Sequence, residues 1–269
     1  MNTRIDRRFS ELRAEGRKGF IAYITAGDPS LDATVDFVLR LEDAGVDVVE
    51  LGIPFSDPLA DGRVNQESAC RALAAGATPR AVFDAVERIR KKSEVPLMGY
   101  TYANPVHARG ADRFMADAAA AGFDGLLILD VPPEEAAPYV RAMTRHKLNH
   151  IVLVTPTTPD ERIASIVRTA SGFVYCISRE GVTGAQKTLN PSALDLVRRT
   201  KAKTDLPVAL GFGIGTPELA RLAATAADAV VVGSAIVQRL FEAPHTRAGR
   251  RAVADWVARL VRAVKEVSA

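Results

Sequence analysis

Short β-branched runs alternate with helical segments along the whole chain, and this alternation restricts the fold more than any other feature. Candidate strands lie near 20–25, 47–53, 96–101, 125–130, 151–155, 172–177, 207–211 and 228–232. Segments between them, such as Asp32–Ala44, Ala111–Ala121, Pro159–Thr169 and Thr216–Ala226, carry apolar residues at helical spacing. Alternation of this kind requires a parallel sheet with helical crossovers. Eight such units in 269 residues predict a closed (β/α)8 TIM barrel, one domain spanning 1–269. An open doubly wound sheet is the other α/β solution. Its usual mark, G-x-G-x-x-G after the first strand, is missing, because that strand runs into Thr25-Ala26-Gly27-Asp28-Pro29.

Three stretches share one grammar: Ala44-Gly45-Val46-Asp47-Val48-Val49, Ala121-Gly122-Phe123-Asp124-Gly125-Leu126 and Ala226-Ala227-Asp228-Ala229-Val230-Val231. Each ends a helix on a small residue, places an aspartate, then starts a strand. Three segments exceed the regular pattern. Met1–Glu15, with Ile5, Phe9 and Leu12 at helical spacing, predicts a helix across the bottom of the barrel. Asn65–Ala75 reads as a helix added between the second strand and its crossover helix, which begins near Pro79. Arg247–Val267 predicts a last amphipathic helix with Trp256, Leu260, Val264 and Val267 on its core stripe.

Hydrophobic residues make up 48% and charged residues 25%, which supports a sizeable core and excludes a disordered chain. The net charge of +3 is small and its basic residues are dispersed, which argues against a nucleic-acid partner. Apolar runs such as Ala229–Val237 are far too short to span a membrane. Met1–Arg13 mixes acids and bases without an apolar core, unlike a signal peptide. Cys70 and Cys176 stand apart, as reduced thiols of a cytoplasmic protein do. His107, His146, His150 and His245 lack metal-ligand spacing, so no metal site is expected.

The chemistry is concentrated after the second strand. Val48-Val49-Glu50-Leu51 places a carboxylate in a strand with both faces buried, where an unpartnered charge is costly. Asp61 follows on the adjoining loop. Glycine-bearing turns follow the last three strands: Gly181-Val182-Thr183-Gly184, Gly211-Phe212-Gly213-Ile214-Gly215 and Gly233-Ser234. Backbone amides in such turns, with helix N-termini behind them, bind phosphate without lysine or arginine. Barrels often hold phosphate at these late loops, which makes Gly184, Gly213, Gly233 and Ser234 the candidate phosphate residues. Thr216-Pro217-Glu218 reads as the N-cap and first turn of the helix behind the second turn. Ser178–Thr188 is long, polar and hinged by glycines, the profile of a lid centred on Thr183.

Glu50-Leu51-Gly52-Ile53-Pro54-Phe55-Ser56-Asp57-Pro58-Leu59-Ala60-Asp61-Gly62 closely resembles the signature of the tryptophan synthase α subunit family. Tyr102-Ala103-Asn104-Pro105, Asp130-Val131-Pro132, Gly181-Val182-Thr183-Gly184, Gly211-Phe212-Gly213-Ile214 and Gly233-Ser234-Ala235-Ile236-Val237 resemble the same family in the same order. The resemblance implies cleavage of indole-3-glycerol phosphate to indole and glyceraldehyde 3-phosphate, a retro-aldol reaction without a cofactor in this chain. It implies that Glu50 is the general acid/base and Asp61 the second catalytic acid. Phe212 and Tyr175, with Leu127 and Ile128, become candidates to enclose the indole, with Tyr102 bordering them and Thr183 in the lid. The implied partner is a pyridoxal-phosphate β subunit in an α2β2 complex, met by loops carrying Pro54, Asp57 and Asn104. No lysine motif for a Schiff base stands in this chain, which leaves the pyridoxal chemistry to that partner.

Three positions depart from the family pattern: Arg63 replaces a proline, Asn65 an apolar residue, and Glu180 a small residue in the lid. Arg63 is a candidate to pair with Asp61 or Glu180. Three other readings remain open from sequence: a free-standing lyase, another phosphosugar lyase or isomerase on the same barrel, and a catalytically silent regulatory subunit.

Overall fold

The computed structural model describes residues 2–177, 191–211 and 213–268. Strand segments β1 (Gly19–Thr25), β2 (Val48–Gly52), β3 (Leu97–Thr101), β4 (Gly125–Ile128), β5 (Asn149–His150), β6 (Val152–Val154), β7 (Val174–Ile177), β8 (Val208–Gly211) and β9 (Ala229–Val232) are joined in the order β5-β4-β3-β2-β1-β9-β8-β7-β6. Every pairing is parallel. Only Ile151 separates β5 from β6, and its amide donates to the Leu126 carbonyl at 3.0 Å. The two segments are therefore one interrupted strand that closes the ring, and the described residues form the eight staves the sequence predicts. The difference is in the fifth stave, which starts at Asn149 and not at 151. Asn149 is fully buried and bonds Thr3 and Asp6, a tertiary contact that local residue pattern does not reveal.

Side chains alternate between two cores, as the period of a strand demands. Ile21, Val48, Met98, Leu127, Ile151, Phe173, Ala209 and Ala229 fill the barrel interior. Phe20, Ala22, Val49, Leu51, Leu97, Val174 and Val230 face the surrounding helices. Helix α1 (Arg4–Ala14) begins with a reciprocal capping box between Thr3 and Asp6, and its Ile5, Phe9 and Leu12 join the interior core. It closes the bottom of the barrel, as its apolar stripe predicts.

The recurrent aspartate has a physical function at that end. Asp47 Oδ2 accepts from the Phe20 amide at 2.6 Å, Asp124 Oδ2 from the Leu97 amide at 2.9 Å, and Asp228 Oδ2 from the Val208 amide at 2.9 Å. Each carboxylate thus satisfies an amide at the start of the preceding stave, where the ladder leaves a donor open. Their other oxygens receive cations: Arg8 on Asp47, Arg4 on Asp124 and Lys201 on Asp228. Two of these cations belong to α1, so the plug is also an ion-paired clamp.

The added helices are α3 (Arg63–Ala74), before the crossover helix α4 (Pro79–Arg90), and α12 (Arg247–Lys265). Thr78 caps α4 by accepting from the Ala81 amide at 3.2 Å. Helix α12 packs against α2 (Leu31–Asp43) and α10 (Pro217–Ala224), burying Trp256, Leu260 and Val264. No described helix is long and apolar enough to cross a membrane.

Candidate active site

Glu50 lies on the inner face of β2, between Val48 below it and Gly52 at the rim, and is 1% exposed. In register it faces Tyr23 on β1 and Met98 on β3. Its Oε1 has no hydrogen-bond partner. Burial, and next the charge of Asp61, push the carboxyl up to about 8. At neutral pH Glu50 therefore carries a proton.

Asp61 closes the loop that leaves β2 and is half-buried. Its Oδ1 accepts from the Tyr100 hydroxyl at 2.8 Å and from Asn65 Nδ2 at 3.4 Å; its Oδ2 accepts from the Tyr102 hydroxyl at 2.7 Å. Burial raises this carboxyl too, but the bonds from Tyr102, Tyr100 and Asn65 oppose it. Two carboxyl groups in one site thus have environments that divide a proton unequally, with Glu50 its holder and Asp61 an acceptor. Such division is how one site assembles an acid and a base.

The loop is pinned independently. Gln66 Nε2 donates to the Asp61 carbonyl at 3.0 Å, and the Ala60 amide donates to the Tyr102 hydroxyl at 3.2 Å. Above β2 lies a shallow pocket, about 220 Å³ with the open solvent at its mouth included, walled by Tyr23, Thr25, Pro54, Asp61, Tyr100 and Tyr102 among others. Among the described residues, the buried side-chain polar atoms left without a partner are Glu50 Oε1 and Asn65 Oδ1. Both belong to this site. Buried polar atoms are nearly always satisfied, so such a pair makes this the candidate site.

Across the barrel, a Cβ built on Gly211 would stand 2.6 Å from the Tyr175 hydroxyl and 2.7 Å from Val231 Cβ. Only glycine lets β7, β8 and β9 approach this closely at the rim. Gly211→Ala is expected to cost about 1–3 kcal/mol as overpacking, read as a fall in the urea midpoint. Gly213 follows with φ +75°, and Gly233 precedes α11 (Ser234–Glu242), whose N-terminus has no side-chain cap. Thr216 caps α10 by accepting from the Leu219 amide at 3.3 Å, as its place before Pro217 predicts. Gly213, Gly233 and Ser234 thus lie at the C-terminal ends of adjacent staves, with helix N-termini behind them. Gly184, Thr183, Glu180 and Phe212 lie outside the described residues.

Other expectations divide. Tyr102 lines the pocket, and Tyr175 and Leu127 face the barrel interior, but Ile128 points into the helical layer. Neighbours on one strand cannot share a face, so Ile128 is no part of an inner pocket. Arg63 turns outward to Glu67 at 2.7 Å and does not pair with Asp61. Pro54 is buried in the cavity wall, whereas Asp57 and Asn104 are exposed, as is Leu59 at 88%. His150 is held neutral by burial and bonds the Thr169 carbonyl at 2.9 Å. Among the described residues no group of His, Cys, Asp or Glu is arranged to hold a metal. Sequence reading missed Tyr100 and Tyr23. Their signal is parity: Tyr100 stands two residues before Tyr102, and Tyr23 lies opposite Glu50 in register.

The family model described as "Tryptophan synthase alpha chain" matches residues 9–267. The chain belongs to the tryptophan synthase alpha chain family. Among its relatives, the tryptophan synthase alpha chain of Solibacter usitatus (strain Ellin6076) is 50% identical over 89% of this chain and 90% of its own length. That of Geobacter sulfurreducens (strain ATCC 51573 / DSM 12127 / PCA) is 46% identical over 97% and 99%. The crystal structure of tryptophan synthase subunit alpha from Legionella pneumophila str. Paris superposes with a TM-score of 0.89 at 36% identity, covering 99% of this chain and 100% of that one.

Proposed function

We propose that this single-domain chain is a lyase that cleaves indole-3-glycerol phosphate to indole and glyceraldehyde 3-phosphate, acting in tryptophan biosynthesis as the α subunit of a synthase. The observation that carries the reading is the buried and unpartnered Glu50, its carboxyl pushed up by that burial, beside an Asp61 that accepts from two tyrosines, in a chain of this family.

Glu50 gives its proton to indole C3, and the ring nitrogen takes up positive charge. Asp61 accepts the ring N–H and stabilises that charge. The glycerol hydroxyl on the carbon attached to C3 then loses its proton to Glu50. Its oxygen becomes the aldehyde of glyceraldehyde 3-phosphate, the carbon–carbon bond breaks, and its electrons restore the indole ring. One proton is given and one is taken back, so Glu50 ends as it began. Gly213, Gly233 and Ser234, joined by Gly184, hold the phosphate through backbone amides. Tyr102 and Tyr175 border the indole, and the family motifs assign Phe212 and Thr183 to the substrate as well.

The partner is a β subunit in an α2β2 heterotetramer, to which indole passes and which carries the pyridoxal phosphate; this chain needs no cofactor. Asp57 and Asn104, with the loop of Pro54, meet it. We place the complex in the cytoplasm. Indole release from indole-3-glycerol phosphate, measured with and without a β subunit, tests the assignment. Slow release that rises sharply with the partner is expected. Unchanged release in its presence means a free-standing lyase, and none under either condition means a silent subunit or another substrate.

A further inference from the structure

Asp61 receives more than its catalytic assignment requires. Tyr100 enters the mouth from β3, on the stave register that faces Gly52. Because Gly52 has no side chain, the space above it is taken by Tyr23, whose hydroxyl would stand 2.4 Å from a Cβ built there. Tyr23 and Tyr100 meet edge to face with ring centroids 5.0 Å apart, which fixes both rings. Tyr100 is thereby aimed at Asp61 Oδ1, while Tyr102, tied by the Ala60 amide, is aimed at Oδ2.

We propose that Tyr100 is a positioning residue of the lyase reaction: with Tyr102 it clamps Asp61 by both oxygens and leaves one acceptor site free, on Oδ2, for the ring N–H of the substrate. The count follows from the carboxylate, which has about four lone-pair sites. Tyr100 and Asn65 occupy Oδ1, and Tyr102 takes one site of Oδ2. Clamping sets the direction of the remaining lone pair. It also favours the ionised form of Asp61, which a substrate donor needs. The titratable groups that face Asp61 among the described residues are Glu50 on β2, Tyr23 on β1, Tyr100 and Tyr102 from β3, and Tyr175 on β7. All four tyrosines are raised by burial and stay neutral donors, so Glu50 is the facing group whose charge bears on Asp61.

This inference rests on the lyase reading, and Tyr100→Phe separates the two. The variant keeps the ring and its contact with Tyr23 while removing the bond to Asp61. Measured on the chain with its β subunit, the acid limb of kcat/KM is expected to move up by about one pH unit, the size of one lost bond to a charged group. The rate at neutral pH is expected to fall about tenfold by the same reckoning. Tyr100→Met repeats the test should the phenylalanine variant be unstable. An unchanged acid limb, with or without a lower melting temperature, overturns the proposal and makes Tyr100 a packing residue. The Asp61 carboxyl can also be followed by 13C NMR titration without substrate. A higher midpoint in Tyr100→Phe is expected there even if the wild type releases no indole, an outcome that would sink the lyase reading and spare the clamp.

Discussion

Glu50→Gln is expected to lose about 10²–10⁴-fold in the rate of indole release, the usual span of general acid–base catalysis, and to be more stable than the wild type at pH 8. Both effects have one origin. The Glu50 carboxyl titrates at about 8 when folded against 4.5 in an ordinary carboxyl. Below pH 4.5 it is protonated in folded and unfolded chains alike, so it contributes no pH dependence. Above that, the unfolded chain releases the proton and the folded one keeps it, so stability falls as pH rises and levels off only past the folded value. Every pH unit between the two values is worth about 1.4 kcal/mol. Glutamine keeps the shape and cannot ionise, so its advantage in unfolding free energy, read from urea curves, should grow from nothing near pH 4.5 to several kcal/mol (about three such units) at pH 8. The wild-type rate should decline above pH 8 as the acid is lost. A glutamine variant with near-normal rate would remove Glu50 from the chemistry.

At the opposite end of the staves, Asp124→Ala is expected to cost about 3–5 kcal/mol, the usual penalty for leaving a buried charge unpaired. Asp124 and Arg90 have side chains only 3% and 10% exposed and are bonded at 2.8 Å. Burial draws the Arg90 guanidinium down to about 10, still charged at neutral pH. Alanine would leave that cation facing only the Gly122, Val95 and Ser93 carbonyls, at 2.8, 2.6 and 3.4 Å. It would also strip the Leu97 amide of its acceptor and loosen the Arg4 contact of α1. Urea unfolding measures the loss, and a change below about 1 kcal/mol, the scale of exposed pairs, would refute the account. The catalytic constant at low temperature should hardly move, because no group of the active site is touched.

The staves, the plug helix and the added helices were legible because each is a local pattern: β-branched runs, a period near 3.6, a threonine before proline. Glu50 was legible for a different reason, since a buried acid in an apolar strand is conspicuous without knowledge of its neighbours, whereas Asp61 on the following loop was legible through the family motif that contains it. What stayed hidden depends on register between distant segments. Tyr100 reaches Asp61 only because β3 lies against β2 with Tyr100 opposite Gly52. Ile128 belongs to the helical layer although Leu127 beside it faces inward, because a strand's period of two separates neighbours. Arg63 found Glu67 because helix α3 begins at Arg63 and sets the pair four residues apart on one face. The aspartate repeat was visible as spelling, but its meaning needed the amides of the preceding staves.

Both acids of the site come from one uninterrupted piece of chain, the second stave and the loop that leaves it, and the first turn of α3 pins that loop through Gln66. Their separation is therefore set within a single strand–loop–helix module and does not depend on how distant parts of the ring are spliced. Permuting the chain at another bottom loop, or exchanging later staves with those of a relative, should leave the pair's spacing intact. Recombination between homologues has in this segment a natural block to carry whole, with the stave of Tyr100 as the neighbour that must travel with it.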